Sequence, residues 1–311
     1  MEDKELYKTY SKYLVDKYGD KVYKLPVNLP LTCPNRDGTI GIGGCTFCAD
    51  VGAGFESLCN TISVRDQLIK NKEYISKKYK AKKFIAYFQN YTNTYLPIDE
   101  FKKYVLESII DDVVEIAIST RPDFIEEEYL QFLKEVEINK GVSISMELGL
   151  QTVNYHTLKK VNRGHGLSEF IDAVLRIKKY GFNICVHLIL NLPWDNMDDV
   201  LENARILSVL DIDQVKLHAL YIINGTVMGD MHQNHEFTMI PVEEYMERVI
   251  VFLENIHPEI VVQRLIGRAP EENSLFVNWN MSWWKIRDEI HEIMHQRGSY
   301  QGKNYLFKNN K

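Results

Sequence analysis

Three cysteines, Cys33, Cys45 and Cys48, fall within sixteen positions of a 311-residue chain that holds five in all. Cys45-Thr46-Phe47-Cys48 sets two thiolates at i and i+3, within reach of one metal centre, and eleven residues separate Cys33 from the pair. The loop between them carries Gly38, Gly41, Gly43 and Gly44. Glycine lets a backbone wrap closely round a bulky inorganic group. Thiolates are the preferred ligands of iron–sulfur iron. Three of them on a [4Fe–4S] cube leave one iron open to a small molecule. A structural zinc wants a fourth ligand, such as Asp50 or a histidine. A chance cluster is the third reading. Cys59 and Cys185 read as buried apolar residues.

The remaining composition sets bounds. The chain is 45% hydrophobic and 26% charged, which is ordinary for a globular protein. No window of 18 apolar residues marks a membrane helix. The start, Met1-Glu2-Asp3-Lys4-Glu5, lacks a signal-peptide layout. A cytoplasmic protein with free thiols is expected. A net charge of −6 does not advertise a nucleic-acid binder, but the charge is unevenly spread. Residues 70–83 carry seven lysines against Glu73, and residues 285–311 carry six Lys/Arg against Asp288, Glu289 and Glu292. Either segment could face phosphates. For the first, a solvated helix face is the plainer reading.

Elements that could position the cysteines recur along the chain. Apolar strand-like runs are expected over 22–31, 83–89, 113–119, 142–150, 182–192 and 215–223. Stretches with three- and four-residue apolar spacing, expected as helices, lie at 64–78, 98–110, 126–136, 168–180 and 197–210. Asp99, Ser168-Glu169 and Gly181 mark helix ends. Six such units imply a parallel sheet, short of the eight in a closed barrel, hence a partial open (β/α)6 barrel. A helix at 242–256, an edge strand at 259–266 and a covering helix at 279–297 would follow. The chain reads as one domain, a core barrel over about 20–225 and an extension over about 226–311. In such folds the loops after the strands build the site. Cys33, Gln89, Arg121, Gln151 and the stretch Asn191 to Trp194 all fall there.

At this level of detail the residues resemble the radical S-adenosylmethionine (SAM) superfamily. The gap C-x11-C is longer than its commonest C-x3-C and is similar to the Elongator catalytic-subunit branch. The YtqA/YhcC-like group of bacterial radical SAM proteins is resembled over residues 20 onward. The resemblance rests on Cys33-Pro34-Asn35-Arg36-Asp37-Gly38, Gly44-Cys45-Thr46-Phe47-Cys48, 87–95, Ser119-Thr120-Arg121-Pro122-Asp123, 147–152, Arg163-Gly164-His165-Gly166, Lys216-Leu217-His218 and Gln263-Arg264-Leu265-Ile266-Gly267. It implies a radical SAM fold, a [4Fe–4S] cluster on Cys33, Cys45 and Cys48, and reductive cleavage of SAM to a 5′-deoxyadenosyl radical.

By the same resemblance Gln151 and Arg163 would contact SAM, the arginine gripping its carboxylate. Glu147 and His187 would meet the ribose, Phe47 the adenine and Gln89 the amine. A buried ion pair is the structural reading of Glu147, and a core histidine that of His187. Gln89, Tyr91 and His218 are the weak candidates for direct catalytic roles.

The group's link to tRNA implies an MnmL-type reaction, trimming a wobble-uridine carboxymethylaminomethyl side chain to aminomethyl. It also implies tRNA as a partner and an external one-electron reductant such as flavodoxin or ferredoxin. Tyr91, Tyr95, Trp279, Trp283 and Trp284 would be available to stack on bases. For the tryptophans, burial under a covering helix competes. Two other functions stand beside this one, a radical SAM enzyme acting on a porphyrinogen-like small molecule, and a non-catalytic iron–sulfur or zinc protein.

Overall fold

In the computed structural model, which describes residues 5–48, 57–268 and 273–306, every expected strand–helix unit forms. Helix α1 (Tyr10–Tyr18) precedes strand β1 (Val22–Val27). Then come α2 (Val64–Tyr79), β2 (Lys83–Phe88), α3 (Ile98–Glu107), β3 (Val113–Thr120), α4 (Glu127–Lys140) and β4 (Ser143–Gln151). Two helices, α5 (Tyr155–Lys160) and α6 (Leu167–Lys179), lead to β5 (Asn183–Ile189), and α7 (Met197–Val209) leads to β6 (Gln214–His218). Beyond lie β7 (Ile222–Ile223), α8 (Val227–Gln233), α9 (Val242–Asn255), β8 (Val261–Arg264), β9 (Ser274–Phe276) and α10 (Trp283–Arg297).

The main sheet is all parallel in the order β1-β2-β3-β4-β5-β6-β8. It is a seven-strand curled half-barrel, one strand wider than the six units expected, with β8 supplying the anticipated edge. Both faces of the middle strands are buried, as a helix-covered parallel sheet requires. Residues of one parity, such as Phe84, Ala86 and Phe88 of β2, join the large apolar core under the helices. Those of the other parity point into the half-barrel. In its interior, Ile85, Tyr87 and Ala117 pack with Leu14 of α1.

Helix α1 was not foreseen, because its apolar face is short and tyrosine-rich. It docks through polar groups as well. The Glu115 carboxylate, on β3, accepts from Tyr18 Oη at 2.6 Å, Lys17 Nζ at 3.1 Å and Ser145 Oγ at 2.9 Å. Val262 N–H of β8 donates to Lys8 O at 2.9 Å, so the segment before α1 runs along the open edge.

Three element boundaries move for local reasons. The run expected to Leu31 leaves the sheet after Val27, where Asn28 N–H turns to Gln67 Oε1 at 2.9 Å. The run 215–223 breaks into β6 and β7, since Asn191 Oδ1 takes the Leu220 N–H at 2.6 Å. The last helix starts at Trp283, because Trp279 sits in a short 3₁₀ turn at φ +52°. Its buried residues Ile286, Ile290 and Met294, four apart, form one helix face, and the helix packs against α9. Among the described residues no helix is long and apolar enough to cross a membrane.

Candidate functional site

Period-two alternation places Lys24, Tyr87, Ser119, Glu147, His187 and Lys216 on the inner face of the half-barrel, near its mouth. Register pairs Ser119 with Glu147, and His187 with Lys216. They floor a cavity of about 480 Å³ whose upper wall is the cysteine loop. The residues expected to hold the cluster, contact SAM or take part in catalysis line this one cavity: Cys33, Cys45 and Cys48, with Phe47, Gln89, Tyr91, Glu147, Gln151, Arg163, His187 and His218.

Each sulfur has a polar donor beside it. Thr92 Oγ1 stands 3.6 Å from Cys33 Sγ, and Arg36 Nη1 is 3.6 Å from Cys48 Sγ. Asn35 Nδ2 and Arg163 Nη1 lie 3.7 and 3.6 Å from Cys45 Sγ. Such a shell suits thiolates. Burial, then the neighbouring Cys45, pushes the Cys48 thiol up to about 11. Only a bound cation would draw its proton off at neutral pH.

The spacing of the sulfurs separates the metal readings. Zinc, at about 2.3 Å from each sulfur, needs tetrahedral sulfurs about 3.8 Å apart. Among the described residues, only Glu147, Cys185 and His187 bring three ligand atoms within 4.8 Å of one another, so the cysteine triad is wider than that. A triad wider than this is not a preformed zinc site. Asp50, the suggested fourth zinc ligand, lies outside the described residues. The loop itself is built for close packing. A Cβ on Gly41 would collide with Asn35 Oδ1, and Gly44, at φ +84°, has Arg36 Cγ 2.9 Å from where its Cβ would be.

The fourth strand ends in a bulge, with the β4–β5 register shifting between Gly149 and Gln151. Gln151 sits at φ +77°, a costly backbone for a non-glycine residue and one that concentrates at functional sites. Gly149 leaves room for both expected SAM contacts. Its Cβ would lie 2.9 Å from Arg163 Nη2 and 2.9 Å from Gln151 Nε2. Arg163 Nη2 donates to Gly149 O at 2.7 Å, while its Nε is buried without a partner. Arg121 is clamped to Asp123 by two bonds, at 2.9 and 2.8 Å, yet its Nη1 is likewise orphaned. Two unpartnered guanidinium donors near the thiols suit a polar, anionic group bound beside them.

Glu147 is the buried ion pair that its position in the strand allowed. Lys24 Nζ meets Oε1, while His187 Nε2 and Lys216 Nζ each reach Oε2 at 2.7 Å. Burial alone would raise its carboxyl; Lys216, Lys24 and the His187 bond outweigh this and hold it well below the ordinary range. Both its oxygens are engaged, so the Glu147–Cys185–His187 group already carries two ammonium ions in place of a metal. Lys216 also reaches Tyr87 Oη at 3.1 Å. Lys24 and Tyr87 were not singled out from the sequence; their inward parity on β1 and β2 was the available signal.

Three histidines are held neutral here. Burial, then Lys216, lowers His187 to about 4. Burial, then Arg163 and Arg121, lowers His165 to about 2. Burial, then Arg264, puts His218 well below its usual value. The unfolded chain would bind these protons near pH 6.5, so stability is full above that pH and falls as pH drops from 6.5 towards 4. Each histidine is worth about 1.4 kcal/mol per pH unit there. Asp195, raised by burial to about 6, works the other way below pH 6 and offsets part of the loss. The expected result is a urea midpoint that falls steadily between pH 7 and 5.

Other expected residues lie elsewhere. Cys59 is exposed and contacts Thr61 Oγ1 at 3.2 Å, which corrects its reading as a buried apolar residue. Its neighbours Asn60 and Thr61 are exposed with it. Cys185 is buried as read. Trp279 donates Nε1–H to Ile240 O at 2.7 Å and packs on Tyr245, a covering role, whereas Trp284 is exposed. Tyr95 Oη pairs with Thr39 Oγ1 at 2.7 Å and does not line the cavity.

Residues 32–207 match the family model of the Radical SAM superfamily, and residues 212–296 match that of the Radical_SAM C-terminal domain. The chain belongs to the radical SAM superfamily. It is therefore a radical SAM enzyme, of a family that uses a [4Fe–4S] cluster and SAM. It is 35% identical over 299 residues to the uncharacterized protein YtqA of Bacillus subtilis, covering 96% of this chain and 92% of that protein. A partial relative is a tRNA uridine(34) acetyltransferase of Methanocaldococcus infernus, 30% identical over 161 residues, 50% of this radical SAM chain and 28% of that protein. Among solved structures, the archaeal Methanocaldococcus infernus Elp3 superposes with a TM-score of 0.68 at 18% identity, covering 90% of this chain and 64% of that one. That likeness concerns the fold alone.

Proposed function

We propose that this radical SAM enzyme modifies the wobble uridine of tRNA, shortening a carboxymethylaminomethyl side chain to aminomethyl. The observation that carries this reading is the charge of the cavity. Lys24, Arg36, Arg121, Arg163, Lys216, Arg264 and Arg268 line it, against Glu147 as the one acidic residue among the described residues. Such a wall favours an anionic guest, whether the carboxylate of SAM or that of an acid-bearing substrate. The partial likeness to a protein named for tRNA uridine(34) supports the choice of nucleoside.

In this reading Cys33, Cys45 and Cys48 hold the cluster. When bound, cluster and SAM supply one-electron cleavage of a sulfonium–carbon bond and so the means to break an unactivated C–H. Arg163 and Gln151 orient the SAM carboxylate, Phe47 packs on its adenine, and Gln89 meets its amine. His187 presents the cavity with a neutral ring, its Nε2–H fixed on Glu147. Glu147 acts by holding Lys24, Lys216 and His187 in place, not by free contact with ribose. Electrons come from a flavodoxin- or ferredoxin-like donor.

Deleting the gene should make carboxymethylaminomethyluridine accumulate in tRNA and deplete aminomethyluridine and its derivatives, read by mass spectrometry of nucleosides. Unchanged nucleosides would sink the reading. Anaerobically reconstituted protein should then perform the same conversion on tRNA from that strain.

A further inference from the structure

The cavity's cations are not equally engaged. Lys24 and Lys216 neutralise Glu147, Arg121 is clamped by Asp123, and Arg163 reaches Gly149 O. Arg264, at the end of β8, differs. Among the described residues it meets no carboxylate at ion-pair distance. Its one polar partner is the His218 ring, with Nη2 at 2.7 Å from Nδ1. Its Nε is sealed from solvent and has no partner. The ring beside it is neutral, because burial and the guanidinium itself keep the proton off His218. A half-buried guanidinium whose Nε is sealed, and which meets no carboxylate at ion-pair distance among the described residues, suits an anion.

The backbone makes room for this arrangement. A Cβ at Gly267 would lie 2.9 Å from Arg264 Cζ and 3.0 Å from its Nη2, so the head sits in a notch that only glycine leaves open. The position is also within reach of the cysteine end, for Tyr221 is near enough to both Cys48 and Arg264 to be perturbed by each. Arg264 and Lys24 further line a second cavity of about 940 Å³ at the β1–β8 seam. Arg264 thus borders two cavities.

We infer that Arg264, seated in the Gly267 notch, is the clamp that holds the carboxylate of the substrate side chain. This rests on the wobble-uridine reading and deepens it. The side chain's acid is what distinguishes substrate from product. A clamp on it would bind the substrate, set its methylene in register and release the shortened product for want of an anion. A planar fork of donors suits a carboxylate better than an ammonium does.

The test compares the affinity of the full-length protein for two tRNAs, one bearing carboxymethylaminomethyluridine and one bearing aminomethyluridine at the wobble position. Wild-type protein should prefer the acid-bearing tRNA by at least about tenfold. Arg264→Gln should bring the ratio near one, and Arg264→Lys should restore only part of it. Gly267→Ala, which keeps the arginine but fills its notch, should also lower the ratio, and guards against misfolding of the first variant. If wild-type protein prefers the acid and both Arg264→Gln and Gly267→Ala keep that preference, the clamp is overturned while the substrate reading stands. If wild-type protein shows no preference, the substrate reading fails and takes the clamp with it.

Discussion

Cys45→Ala protein is expected to lose its iron and all reductive cleavage of SAM. Of the three thiols Cys45 is the most enclosed, and two donors, Asn35 Nδ2 and Arg163 Nη1, converge on it. Removing the sulfur takes one corner from the cube and leaves both donors facing a void. Loss of an outer partner of a metal site typically costs about 10–100-fold, so loss of a ligand should exceed about 100-fold. The measurement is iron and sulfide content after anaerobic reconstitution, followed by 5′-deoxyadenosine formation with a chemical reductant. Cys59→Ala serves as the control, because Cys59 is exposed and off the cavity. A Cys45→Ala protein that keeps a full complement of iron and cleaves SAM would remove the assignment of the triad.

Glu147→Gln is expected to be the most destabilising isosteric change in the half-barrel. The substitution keeps shape but strands Lys24 and Lys216 without their shared counter-charge, inside the sheet's concave face. Breaking a buried pair by removing one partner costs about 3–5 kcal/mol. In a chain of this size that lowers the melting temperature by on the order of 10 °C. Because the folded-state carboxyl is held well below its unfolded value, the contribution of Glu147 is present above the ordinary carboxylate range and disappears as pH falls through the depressed value. The gap between wild type and variant should therefore persist at pH 7 and close only in strong acid. Adding Lys216→Met to Glu147→Gln should recover part of the loss. A thermal scan in which Glu147→Gln melts with wild type would show that the carboxylate does not balance the two lysines.

The parallel sheet and the cysteine loop were legible because both are local. Strands buried on both faces write themselves as continuous apolar runs, and thiols three residues apart need no fold to be noticed. The eleven candidates that converge on one cavity were legible for a related reason, since residues following parallel strands share one end of the sheet. What stayed hidden depends on distant partners. Glu147 looked like a possible ribose ligand until Lys24, 123 positions away, was seen to fill its shell. Helix α1 has too few apolar residues to announce itself, and is held by Glu115 about a hundred positions on. Cys59 looked apolar by type, yet the turn that carries it never reaches the core. The seventh strand was visible as an apolar run, but its importance lies in Arg264, whose missing counter-ion no pattern of spacing reveals.

On the ribosome, the segment over 5–9 must wait for partners made much later. Leu6 O accepts from Gln301 N–H at 2.8 Å, Tyr7 Oη meets His291, and Lys8 O accepts from Val262 N–H. Each of these partners lies more than about 250 positions further along, a delay of about 13–60 s at about 5–20 residues per second. During that interval strands β1 to β6 and the cysteine loop have already emerged, while the edge that β8 and the 5–9 segment will cover is still bare.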